Sequence, residues 1–216
     1  MTALDAETLR LLARVLDYPD AGTAEDRAEL VRRLGEARPE AARALEAHGR
    51  ELGESSLARQ REIYATTFDV NPVVCLYAGY HLFGDSYPRG AFMAHLNGTY
   101  RAVGYETGGE LPDHFCEMLR FLAHVRTLEV PSADPAAELA TWSDELIDDA
   151  IVPAARTIVR AFDQTSNPYG ALLRAVLLTF ERPGGAESGV DARRRSRSLP
   201  VLTRPDPMRC NEEWKP

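Results

Sequence analysis

Apolar side chains recur along this chain every three or four positions, and no run shows the strict alternation or β-branched density of a strand. The pattern predicts an all-α fold, a helical bundle of about eight to ten helices. Leu4, Leu12, Val15 and Leu16 make a stripe that stops at Tyr18-Pro19, because the proline ring disfavours a helical residue before it. The stretch from Thr23 to Asp26 resembles a capping box ahead of Leu30, Val31 and Leu34. Pro39 suits the first turn of a third helix, and Ser55 or Ser56 caps a helix that carries Leu57, Tyr64 and Phe68 and ends before Asp69. From Val73 to Phe83 the chain is apolar nearly all round, which predicts a central helix, buried on most sides and ended at Gly84.

A helix from about Arg89 to Val103 is followed by a strongly amphipathic one that Glu110-Leu-Pro-Asp-His114 opens and Pro131 closes, with Phe115, Leu119, Leu122 and Val125 inward. Asp134-Pro135 opens the next, bearing Leu139, Trp142, Leu146 and Ile147, and Pro153 kinks or splits it ahead of Ile158, Val159 and Phe162. Asn167-Pro168 starts the last, with Leu172, Leu173, Val176, Leu177 and Phe180. Large apolar residues then become scarce, so residues 1–181 read as one helical domain and 182–216 as a flexible, mostly disordered tail.

Composition adds limits. Hydrophobic residues at 44% and charged residues at 27% suit a globular chain, and 216 residues suit one core. No apolar stretch approaches the ~20 residues that span a bilayer, and the first residues do not read as a signal peptide. No membrane insertion and a cytoplasmic location are therefore expected. Cys75, Cys116 and Cys210 form neither a CxxC nor an even-numbered disulfide framework, which fits a reducing compartment. Charge changes the picture more. Residues 1–180 carry 17 basic and 27 acidic side chains, a net of −10, whereas the remainder carries 8 and 6. An acidic body repels nucleic-acid phosphates and attracts cationic peptides, so no nucleic-acid partner is expected.

The constellations that mark common enzymes are missing: there is no P-loop, GxGxxG, GxSxG, HExxH or Glu-x-x-His. Glu110 and His114 stand four apart, as do His81 and Asp85, and either pair suits one helix face. Together with His95 they leave open a small helical metal-binding enzyme; a helical scaffold or regulatory module that binds another helix is a further alternative. Two segments carry more chemistry. From Tyr77 through His81, Asp85, Ser86 and Arg89 to Gly90, rings, a histidine, an acid and an arginine surround a tight turn, a mixture suited to peptide recognition. The plainer reading puts the rings in the core, lets Asp85-Ser86 cap the next helix and lets Arg89 bond a helix C-terminus. Glu110 to His114 equally serves as an ordinary helix start.

Four short motifs occur in order: Leu16-Asp-Tyr-Pro-Asp20, Tyr64 to Phe68-Asp69, Gly84-Asp-Ser86 with Arg89-Gly90, and Glu110-Leu-Pro-Asp-His114 leading to Leu119-Arg-Phe-Leu. This order resembles the molybdoenzyme assembly chaperones, and is most similar to their nitrate reductase delta-subunit branch, over roughly Leu9 to Phe180. The resemblance implies a helical chaperone without catalysis or a cofactor of its own. It also implies a partner: the apo, molybdopterin-binding catalytic subunit of a dimethyl sulfoxide reductase-family respiratory enzyme, held by its N-terminal leader, often of twin-arginine type, until the molybdenum cofactor is inserted. Carried over by motif, Asp113 and His114 lie at the binding or proofreading site, with Glu110 and Phe115 beside them. Tyr64, Phe68, Tyr77 and the turn with His81, Asp85, Ser86 and Arg89 line the client groove. Tyr80 departs from the pattern, since relatives often place an acid there.

Overall fold

The computed structural model describes residues 4–70, 72–128 and 133–181. Helix α1 (Ala6–Leu16) starts where the Asp5 carboxylate accepts from the Thr8 N–H at 2.7 Å, and it stops at the extended Asp17 ahead of Tyr18-Pro19. Helix α2 (Thr23–Ala37) takes Gly22 as its cap. The expected capping box therefore does not form: the Thr23 hydroxyl faces backward, accepting from the Asp20 N–H and donating to the Asp20 carboxylate. Helix α3 (Pro39–Leu52) has proline in its first turn and ends at Gly53, whose φ of 55° favours glycine. Ser56 caps α4 (Leu57–Phe68), accepting from the Arg59 N–H at 3.3 Å.

The expected central helix over Val73–Phe83 is a correction. Only α5 (Ala78–Phe83) is helical there, and Val73 and Tyr80 are exposed. The preceding residues pair across the fold instead, in an antiparallel bridge between Tyr77 and His114. Val73 and Val74 lie in bends, the Val73 N–H donating to the Thr67 carbonyl at 2.9 Å. Gly84, at φ 67°, ends α5, so His81 and Asp85 never share a helix face.

The helices α6 (Tyr87–Ala102) and α7 (Phe115–Val125) follow. The central element is α7, in which all side chains but Arg120 and His124 are buried. Each large aliphatic buried there contributes about 1.5–3 kcal/mol. Helix α8 (Ala133–Leu146) runs into a π-helical segment, Ile147–Ile151, and then α9 (Val152–Ala161) with Pro153 in its first turn. A proline that lacks the N–H of a continuous α-ladder accounts for the split that the sequence predicts. Helix α10 (Tyr169–Phe180) opens where Asn167 accepts from the Tyr169 N–H at 3.0 Å. Helix α1 lies on α7 and α2, α10 on α3 and α9, and α5 on α6 and α9. One contiguous core joins them. Among the described residues no helix is long and apolar enough to cross a membrane, and no strand forms. The expectations for Pro131 and for the tail at 182–216 fall outside the described residues.

Candidate functional site

The bridge between Tyr77 and His114 joins the two segments that the sequence marks as rich in chemistry. The Ala78 N–H donates to the Asp113 carbonyl and the Phe115 N–H to the Leu76 carbonyl, both at 2.8 Å. Tyr77 and His114 then meet edge to face at 5.2 Å. After α5 the turn at Gly84 reverses the chain, and α6 carries Arg89 back over the bridge. Its Nε donates to Asp113 Oδ2 at 2.9 Å and its Nη2 to Oδ1 at 3.5 Å. Asp113 is fully buried. The guanidinium lies 5.5 Å from the Tyr77 ring and 5.9 Å from the Tyr80 ring, so two π-faces cover the cation that Asp113 neutralises. The Asp113 hydrogen bond raises the already high Arg89 pKa. Arg89 thus bonds a buried acid and not a helix end.

Gly79 makes this approach possible. A Cβ there would stand 2.6 Å from Asp113 Oδ2, 3.1 Å from Phe92 and 3.2 Å from the Arg89 stem. Gly79→Ala is therefore expected to destabilise the chain by about 1–3 kcal/mol, as overpacking does, although alanine is the better helix former. A thermal melt checks this; a gain in Tm would show that Asp113 and Arg89 yield without cost.

The remaining polar groups are tied in. The Tyr77 hydroxyl donates to Glu110 at 2.9 Å; burial, then this bond, pushes its pKa up to about 12. His114 caps α7 through Nδ1, which accepts from the Cys116 N–H at 3.3 Å, and burial lowers its pKa, so the ring is neutral. Glu110 consequently precedes the helix and does not share a face with His114. His81 donates through Nε2 to the Cys75 carbonyl at 2.8 Å, and His95 accepts from the Trp142 N–H at 3.1 Å. Among the described residues no three histidines, cysteines or acids converge as a metal site would require. Ser86 caps α6 by backbone only, its hydroxyl donating to the Phe83 carbonyl.

The structure thus brings Tyr77, Arg89, Glu110, Asp113 and His114 together and sets Asp85 and Ser86 on the adjoining turn. It does not bring Tyr64, Phe68 and Phe115 to a surface. Tyr64 and Phe68 are 6% and 7% exposed, in a ring cluster with Tyr169, and Phe115 is fully buried in the core. Exposed rings lie elsewhere: Tyr80 at 47% and Tyr87 at 82%, with Leu111 at 46% beside Glu110. Tyr87 lies inside the Gly84 to Gly90 turn and Leu111 inside the Glu110 to His114 string, the two segments that the sequence marks, but no periodicity there shows which of their side chains reach the surface. A separate cleft of about 490 Å³ opens between α1 and α7, lined by Arg10, Arg14, Tyr105, Glu117 and Arg120 among others. The buried Glu117 accepts there from Tyr105, Arg120 and the Gly108 N–H, and Asp17, on its far side, pairs with Arg120.

Residues 19–155 match the family model described as nitrate reductase delta subunit. The chain belongs to that family. Its matched span holds every member of the bridge, from Tyr77 to His114, and the family is one of redox-enzyme maturation chaperones. The fold is similar to the crystal structure of a proposed redox enzyme maturation protein from Archaeoglobus fulgidus, at 18% identity and a TM-score of 0.52, covering 84% of this chain and 97% of that one. No curated protein matches the chain.

Proposed function

We propose that this delta-subunit-family chain is a cytoplasmic, non-catalytic chaperone that binds the N-terminal leader of the apo catalytic subunit of a molybdenum-containing, dimethyl sulfoxide reductase-family enzyme and holds it for cofactor insertion. One observation carries the reading beyond the family. The exposed Tyr80 ring and, through Tyr77, the exposed Glu110 flank Arg89 where it bonds the buried Asp113, while the exposed Asp85 and Tyr87 lie on the adjoining turn and the exposed Leu111 follows Glu110 in the chain. Rings supply apolar contact area at little entropic cost, and the acids attract the arginines of a basic leader. The anchors are these surface rings, in place of the buried Tyr64, Phe68 and Phe115. Asp113 and His114 position the face from beneath.

Fluorescence titration with a synthetic leader of the molybdopterin subunit tests this. Tyr80→Ser with Tyr87→Ser is expected to weaken binding by about 30-fold or more, the effect of losing a hot-spot ring. Raising salt from 50 to 500 mM is expected to weaken it further through slower association. Binding unaffected by the ring substitutions would remove this face from the mechanism, and binding unaffected by salt would remove the steering.

A further inference from the structure

The chain itself contains a segment with the chemistry this face would accept. Arg193-Arg-Arg-Ser-Arg197 places four guanidinium groups within five residues, and no five-residue window outside this run holds more than two basic side chains. Leu199-Pro-Val-Leu202 follows at once, so a basic run leads directly into an apolar one. The face offers the complementary order. Asp85 and Glu110 are exposed and in no ion pair among the described residues, while Arg89 is neutralised by Asp113. Tyr80 and Tyr87 present rings on which arginine stacks, and Leu111 offers apolar contact. The body behind them carries a net charge of −10.

We propose that the segment Arg193–Leu202 docks on the face formed by Tyr80, Tyr87, Leu111, Asp85 and Glu110, occupying in the free chain the surface that a partner must take. The inference uses the face assigned above to the client leader, with a different occupant. Reach does not prevent it. The residues between Glu181 and Arg193 span at most about 40 Å when extended, and a domain of this size has a radius of gyration of about 16 Å. A tethered segment acts at an effective concentration on the order of 1 mM. An intrinsic Kd of about 100 μM is then enough to keep the face about nine-tenths occupied, while a tight partner still displaces the segment. Such self-occupation shields exposed rings from unrelated chains and makes a client compete for entry.

The test uses the full chain and a full chain carrying Arg193→Ser, Arg194→Ser, Arg195→Ser and Arg197→Ser. Each is titrated with a fluorescently labelled synthetic peptide spanning Asp191 to Thr203 in the native sequence. Freed of its own segment, the substituted chain is expected to bind the peptide about tenfold tighter than the unmodified chain. Adding Tyr87→Ser and Asp85→Asn to the substituted chain is expected to abolish that binding. Equal affinities for the two chains, or no binding to the substituted one, would overturn the proposal. A difference that appears only where sedimentation shows dimers assigns the contact to a second copy, and overturns the intrachain form. Because the probe is the chain's own sequence, its result stands apart from whether any client leader binds.

Discussion

Asp113→Ala is expected to destabilise the chain by about 3–5 kcal/mol, the cost of leaving a desolvated charge without its partner. For a chain of this size that lowers Tm by roughly 10 °C. Arg89 is covered by the Tyr77 and Tyr80 rings and has no other ion-pair partner among the described residues. Replacing Asp113 therefore strands the guanidinium under two rings. Asp113→Asn keeps the volume and one acceptor, and is expected to cost about half as much. Arg89→Met combined with Asp113→Asn is expected to cost less than the two single changes added together, because removing both charges leaves neither unpaired. Urea unfolding of the four proteins measures this, and strictly additive costs would show that the two groups do not hold each other. The folded fraction of Asp113→Ala is also expected to lose leader affinity, since Arg89 no longer holds Tyr80 beside Asp85. A destabilised variant that binds the leader as before would separate the buried pair from the face above it.

That pair also marks the limit of what the sequence discloses. Helix positions follow from local signals: the Asp5, Ser56 and Asn167 side chains bond the first N–H groups of α1, α4 and α10, and Pro39 and Pro153 sit in first turns. Such contacts span five residues or fewer, and residue type alone indicates them. The Arg89–Asp113 contact joins residues 24 positions apart, and the Tyr77–His114 bridge residues still farther apart. No periodicity encodes either. The misplaced central helix has the same origin: Leu76 to Ala78 pair with the α7 entrance, and a short apolar run reads alike as buried helix or buried extended chain. Motif resemblance singled out Asp113 and His114 but gave no depth. It therefore assigned Tyr64 and Phe68 to a groove and Phe115 to the binding site, whereas their rings fill the core.

Acid is expected to weaken the fold through a residue outside that site. His48, on α3, is 1% exposed, packs on the Tyr169 ring at 5.4 Å and has no hydrogen-bond partner at either ring nitrogen. Burial, and then the nearby Arg27 cation, pushes its pKa down to about 3. In the unfolded chain the same ring titrates near 6.5. Between these values the unfolded state binds the extra proton, so the contribution of the neutral ring is fully present above pH 6.5 and is lost as pH falls toward 3. At about 1.4 kcal/mol per pH unit, the loss on going to pH 5 is roughly 2 kcal/mol. His81, His95 and His114 are shifted in the same direction by burial, so the unmodified chain loses more than this. His48→Leu isolates the share of one ring. It removes two unpaired buried nitrogens and the proton they would take, and is expected to flatten the decline between pH 7 and pH 5 by about 2 kcal/mol in urea melts. An unchanged decline would mean that His48 is protonated within the fold. Arg27, whose Nη1 is likewise buried without a partner among the described residues, would then face a second cation, an arrangement that the absence of a paired acid among the described residues would make costlier than the neutral ring.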